Sequence, residues 1–179
     1  ERLNQYTDRL SILITDLFEV SKANSGNIDL EYSDINIIEF MEQVCAENEE
    51  LLQAKNLQLV TNLPEKEIHV CLDGNKTYRI FENLFTNISK YALENTRVFL
   101  DVKDTGNSVV IIMKNTSKEP LDFDSDITER FVRGDKSRHE AGSGLGLAIV
   151  KSFTEVQNGT FKIETDGDLF KSILSFHKS

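Results

Sequence analysis

The chain has 179 residues, 39% of them hydrophobic, which suffices for one substantial core and a small appendage but not for two large domains. Against 20 Lys and Arg stand 30 acidic residues, so the formal net charge is -10 and no broad positive field exists to attract nucleic acid or anionic lipid. Any anion site must then be local, built from helix-end amides, one or two basic side chains and a metal ion.

Leu3, Tyr6, Leu10, Leu13, Leu17 and Val20 advance by alternating steps of three and four, the a and d positions of a heptad, and Ile14 and Phe18 widen that seam. A helix of this kind packs in a bundle, although the same pattern also fits an amphipathic helix folded back on its own domain. Ser25-Gly26-Asn27 ends it. Ile28, Leu30 and Tyr32 alternate with polar residues as a short strand requires, and residues 36–54 form an amphipathic helix through Ile37, Met41, Val44, Cys45, Leu51 and Leu52. Cys45 and Cys71 lack metal-site spacing and are expected to be small buried hydrophobes.

Residues 57–60 and 68–72 are short strands separated by Pro64, and Asp73-Gly74 turns the second into a helix over 76–92. Strands over 98–102 and 109–113 flank Thr105-Gly106-Asn107, the signature of an antiparallel hairpin. The charged stretch 114–143 reads as a loop with a short helical piece at 127–131. Helical periodicity resumes over 144–157 and stops at Asn158-Gly159, and two strands at 161–164 and 169–176 turn through Asp166-Gly167-Asp168. The fold class is therefore α+β: a two-layer sandwich with a mixed sheet of about five strands under three helices, preceded by one bundle-type helix.

Two motifs carry chemistry. Gly142-Ser143-Gly144-Leu145-Gly146-Leu147 is a glycine-rich turn entering a helix, where backbone amides can approach a phosphate. It is neither a Walker A loop nor a dinucleotide fingerprint, and alone it fits a flexible linker with a helix cap equally well. On the 76–92 helix, Asn83, Asn87, Lys90 and Tyr91 form one polar stripe opposite Ile80, Phe81, Leu84, Phe85 and Ile88. An amide oxygen there can ligate a phosphate-bound Mg²⁺ and Lys90 can meet phosphate; a solvated helix face has the same composition.

Together these segments resemble the catalytic ATP-binding domain of bacterial sensor histidine kinases, in the ATPase superfamily shared with gyrase, mismatch-repair ATPases and heat-shock chaperones. Asn83-Leu84-Phe85-Thr86-Asn87-Ile88-Ser89-Lys90-Tyr91 is similar to that family's N box, 142–147 to its second glycine box, and Glu129-Arg130-Phe131-Val132-Arg133-Gly134-Asp135 to its F box and the start of its ATP lid. The resemblance implies an ATP-binding domain over 28–179, and a partial dimerisation and histidine-phosphotransfer bundle over 1–25. It implies Mg²⁺ on Asn87 with Asn83 in support, phosphate on Lys90 and the nucleotide beside Tyr91. Gly142, Ser143, Gly144, Leu145, Gly146 and Leu147 would cradle the phosphates under a lid over 118–143, and Arg133 would stabilise charge on the transferring phosphoryl group.

One departure stands out. Where the family carries Asp-x-Gly-x-Gly, this chain reads Lys114-Asn115-Thr116-Ser117-Lys118, so the adenine-binding position holds Asn115 and the glycines are missing. A carboxamide still accepts a hydrogen bond but lacks the charge that strengthens it. None of His69, His139 and His177 suits a phosphate acceptor, so the acceptor is expected on a helix outside this chain and the fragment should not phosphorylate itself. The implied function is transfer of the ATP γ-phosphoryl group to that histidine for relay to a response regulator. The implied setting is a homodimeric sensor, membrane-anchored elsewhere, whose cytoplasmic portion includes this segment, which itself has no apolar run long enough to cross a bilayer. The alternatives are a regulatory nucleotide-binding module with weakened or lost catalysis, and a superfamily ATPase that moves domains.

Overall fold

A computed structural model describes residues 2–119 and 145–178. In chain order the described elements are α1 (Arg2–Asn24), β1 (Tyr32–Asn36), α2 (Ile37–Glu47), α3 (Glu49–Gln53), β2 (Gln58–Asn62), β3 (His69–Asp73), α4 (Gly74–Tyr91), β4 (Arg97–Asp104), β5 (Ser108–Thr116), α5 (Gly146–Glu155), β6 (Thr160–Asp166) and β7 (Leu169–His177). The main sheet has five strands in the order β2-β4-β5-β7-β6, with β2 parallel to β4 and the other pairs antiparallel. β1 and β3 form a separate antiparallel ribbon.

Alternation along the sheet strands explains the layering, because successive side chains point to opposite faces. Val98, Leu100 and Val102 on β4, Val109, Ile111 and Met113 on β5, and Phe170, Leu174 and Phe176 on β7 are all buried. They join a single core with Ile37, Met41 and Val44 of α2, Ile80, Phe81, Leu84, Phe85 and Ile88 of α4, and Ile149, Val150 and Phe153 of α5. Phe40 meets Phe81 edge-on at 6.3 Å, joining α2 to α4. The mixed sheet under three main helices is the expected α+β sandwich, and the hairpin at Gly106 (φ 90°) closes as its sequence dictates.

Local boundaries depart where a side chain competes with the backbone. The expected 36–54 helix is broken at Asn48, whose carboxamide donates to the Val44 carbonyl at 2.8 Å, leaving α2 and the short α3. The strand expected from Ile28 begins instead at Tyr32, and the Glu31 amide donates to the Asp73 carboxylate at 2.9 Å. Cys71 is exposed rather than buried, because it lies opposite Asp34 on the outward face of the β1/β3 ribbon. Cys45 is buried as expected, and burial pushes its thiol up to about 11. His177 closes β7, and the helical piece expected at 127–131 lies outside the described residues.

α1 presents two different faces. Val20 and Ala23 are buried against the fold, whereas Leu10, Ile14, Leu17 and Phe18 are 57–60% exposed on another face. The side chains of Leu3, Tyr6 and Leu13 lie outside the described ones.

Asn158 ends α5 in the left-handed conformation (φ 58°), and the Gly159 amide returns to the Thr154 carbonyl at 2.9 Å. A Cβ on Gly159 would stand 2.8 Å from a ring carbon of Phe176 and 2.9 Å from the Ser175 carbonyl oxygen. Gly159→Ala should therefore lower stability by about 1–3 kcal/mol, the usual range for overpacking. Urea unfolding checks this: the midpoint should fall at constant m, and an unchanged midpoint would show that the close approach does not constrain the fold.

Candidate functional site

The site is built on α4, so the placement of that helix comes first. Asp73 caps it: one carboxylate oxygen accepts from the Lys76 amide at 2.9 Å while the other accepts from Glu31. The Asp73 amide in turn donates to the buried Gln157 side chain at 2.7 Å, and Gln157 donates to the Phe153 carbonyl at 2.9 Å. This ties the start of α4 to the end of α5, so the two helices run antiparallel. Gln157 went unnoticed in the sequence; its only signal is a polar residue following the apolar face of a helix.

Ten residues along α4, about 15 Å at the helical rise, the other end of α5 meets Asn83. A Cβ on Gly146 would lie 3.3 Å from Asn83 Oδ1, tighter than most contacts of that kind, so glycine permits this approach. Asn83 Nδ2 donates to the Arg79 carbonyl at 2.7 Å, which turns Oδ1 toward the start of α5. Leu145 precedes that helix without a side-chain cap, and the first amides of a helix have no partner inside it. Leu147 is buried.

Further along the same stripe, Asn87 is half-buried, Lys90 exposed and Tyr91 half-buried, while the apolar residues opposite are in the core. The far end of α4 is stitched to the end of β5: the Lys118 amide donates to the Tyr91 carbonyl at 2.9 Å and the Leu93 amide to Thr116 at 2.8 Å. Asn115, 3% exposed on the inward face of β5, lies at this corner, with Nδ2 3.3 Å from the Thr116 carbonyl. Asn83, Asn87, Lys90, Tyr91, Asn115, Leu145, Gly146 and Leu147 thus belong to one region, with Gly146 beside the middle of α4 and Asn115 at its C-terminal corner. Arg133, Gly142, Ser143 and Gly144 lie outside the described residues, as does the expected lid beyond Glu119.

Chemically, the stripe offers carboxamide oxygens next to the start of α5 and a lysine. Amides and Lys90 attract phosphate, but an Oδ1 and a phosphate oxygen are both acceptors and repel unless a cation or its waters lie between them. The donor set therefore fits a metal-bound polyphosphate better than a bare anion.

Residues 72–176 match the family described as histidine kinase-, DNA gyrase B- and HSP90-like ATPase. The chain belongs to that family. It is 32% identical over 160 residues to the sensor protein kinase WalK of Staphylococcus aureus, covering 86% of this chain and 38% of that protein. Against longer WalK sequences of the same species the share falls to 26%, so this chain spans well under half of its relatives. Full-length ShkA, solved in complex with AMPPNP, superposes with a TM-score of 0.82 at 21% identity, over 99% of this chain and 38% of that one. The histidine kinase ThkA, solved with the response regulator TrrA, gives 0.76 at 19% over 99% and 51%. The expected sensor histidine kinase type of ATP-binding catalytic domain is thereby established, and so is its α+β fold.

The Asn83–Gly146 contact is open to test by a double-mutant cycle. Gly146→Ala relieves a helical glycine but forces Asn83 to shift, whereas in an Asn83→Ala background only the gain remains. The two substitutions should be coupled by about 0.5–1 kcal/mol in urea unfolding. Strict additivity would show that the helices do not meet there.

Proposed function

We propose that this chain binds Mg·ATP along α4 and presents the γ-phosphoryl group to a histidine on a helix outside it, from which the complete protein passes the group to a response regulator. The observation that carries this reading is the meeting of Asn83 with Gly146, which sets a carboxamide stripe opposite the start of α5. Mg²⁺ would be held by Asn87 with Asn83 in support, and when bound it supplies charge neutralisation across the phosphates. Lys90 contributes a point charge to the phosphate chain, and the first amides of α5 receive phosphate oxygens. Tyr91 and Asn115, at the other end of the stripe, flank the base, where Asn115 accepts from the adenine amino group as a neutral carboxamide.

Residues 1–25 serve as part of the phosphotransfer bundle in a homodimer of the complete protein, a reading supported by the exposed apolar face of α1 and by neighbours that superpose over 99% of this chain. Arg133 is assigned by motif alone to charge stabilisation at the transferring group, and Gly142, Ser143 and Gly144 to the phosphate cradle. No helix among the described residues is long and apolar enough to span a membrane, so any anchor belongs to another part of the sensor.

Titration calorimetry with Mg·AMPPNP tests the site. Wild type should bind, and Asn87→Ala should bind at least about tenfold more weakly, equivalent to 1.4 kcal/mol. Equal affinity in the two proteins, or none in the wild type, would remove the assignment.

A further inference from the structure

The α4 stripe continues toward the helix start beyond Asn83, and there it faces α1. Arg79 pairs with Asp16 of α1 and with Glu82 on its own helix, and Lys76 pairs with Glu19 of α1 at 2.9 Å. The Lys76 ammonium also stands 5.1 Å from the centre of the Phe153 ring of α5. Ser152 of α5 donates to Asn24 of α1 at 3.0 Å. Asp16, Glu19, Val20, Ala23 and Asn24 thus share one face of α1 at spacings of three and four.

This face is mostly polar. Its buried hydrophobic residues are small, Val20 and Ala23, while the large apolar residues Leu10, Ile14, Leu17 and Phe18 point elsewhere. Among the described residues, docking of α1 therefore leans on ion pairs and the Ser152–Asn24 hydrogen bond, and with Asp16 buried its pair with Arg79 depends on keeping that cation as its partner.

Nearby charge is what a nucleotide would bring. Arg79 is one helical turn before Asn83, about 6 Å along the axis, and its own carbonyl accepts from Asn83 Nδ2. Among the described residues, Asp16 and Glu82 pair with Arg79 and Glu19 pairs with Lys76. A polyphosphate beside Asn83 competes with Asp16 for the Arg79 guanidinium, a fork that matches phosphate as well as carboxylate, and it repels the Asp16 carboxylate.

We propose that the Asp16–Arg79 and Glu19–Lys76 pairs form a latch holding α1 on α4 and α5, and that nucleotide bound beside Asn83 opens it by taking Arg79 from Asp16. Nucleotide binding and α1 docking then oppose each other, and linkage makes the antagonism reciprocal: loosening α1 with Arg79 left in place tightens nucleotide binding. The coupling half of this proposal rests on the nucleotide site proposed above; the latch half does not.

The test uses the whole 179-residue chain in a Cys71→Ser background, spin-labelled through Ser11→Cys on α1 and Lys162→Cys on β6. The inter-label distance distribution should be narrow, should broaden with Asp16→Asn or Glu19→Gln, and should narrow again in the charge swap Asp16→Arg with Arg79→Asp. Adding Mg·AMPPNP to the unsubstituted latch should broaden it. In parallel calorimetry Asp16→Asn should bind Mg·AMPPNP about fivefold more tightly, the lower end of typical coupling, while Arg79→Gln should not gain affinity. Distances unmoved by Asp16→Asn, or not recovered in the swap, overturn the latch. Loosened α1 with unchanged affinity overturns the coupling while leaving the nucleotide site in place. Absence of Mg·AMPPNP binding in every variant overturns the coupling together with the proposed function, with the latch judged by the distances alone.

Discussion

The antiparallel packing of α4 against α5 is the constraint on which the rest depends. At one end the Asp73 amide and the Gln157 carboxamide hold the helices together through a buried hydrogen bond, and at the other Asn83 closes on Gly146. Between these contacts both helices share the core, so neither can slide without breaking a polar contact or opening a void. A stripe on one helix and the start of another more than fifty residues later in the chain meet only because this packing fixes them.

The sheet contributes the remaining corner. The end of β5 is bonded to the end of α4 through the Lys118 and Leu93 amides, so Asn115 stays beside the end of the stripe. Asn115 there is buried, and a carboxylate in its place would have to be desolvated whenever nucleotide is absent. The carboxamide avoids that penalty and forgoes a charged acceptor.

Much of this was legible in the sequence. β-Branched runs around a turn located β4 and β5, alternation located β6 and β7, and the apolar face of α4 marked its opposite side as the chemical one. The Asp73 cap, the Gly106 hairpin and the Asn158 stop were legible because each rests on local backbone chemistry. What sequence could not show was tertiary. The pairing of Gln157 with Asp73 and the ion pairs from α1 to Lys76 and Arg79 depend on which surfaces meet. A polar residue on a helix looks the same whether it faces water or a partner. Cys71 failed for a related reason: its apolar neighbours suggested burial, but the ribbon it occupies is covered on one face only.

Amide hydrogen exchange with and without Mg·AMPPNP tests the central claim most directly, because it reports on both separated segments at once. Peptides covering residues 83–91 and 145–149 should gain protection together on adding nucleotide, while those covering the acidic surface of α2 and α3 should not change. Protection of only one of the two segments, or of neither, would contradict a site made by bringing α4 and the start of α5 together.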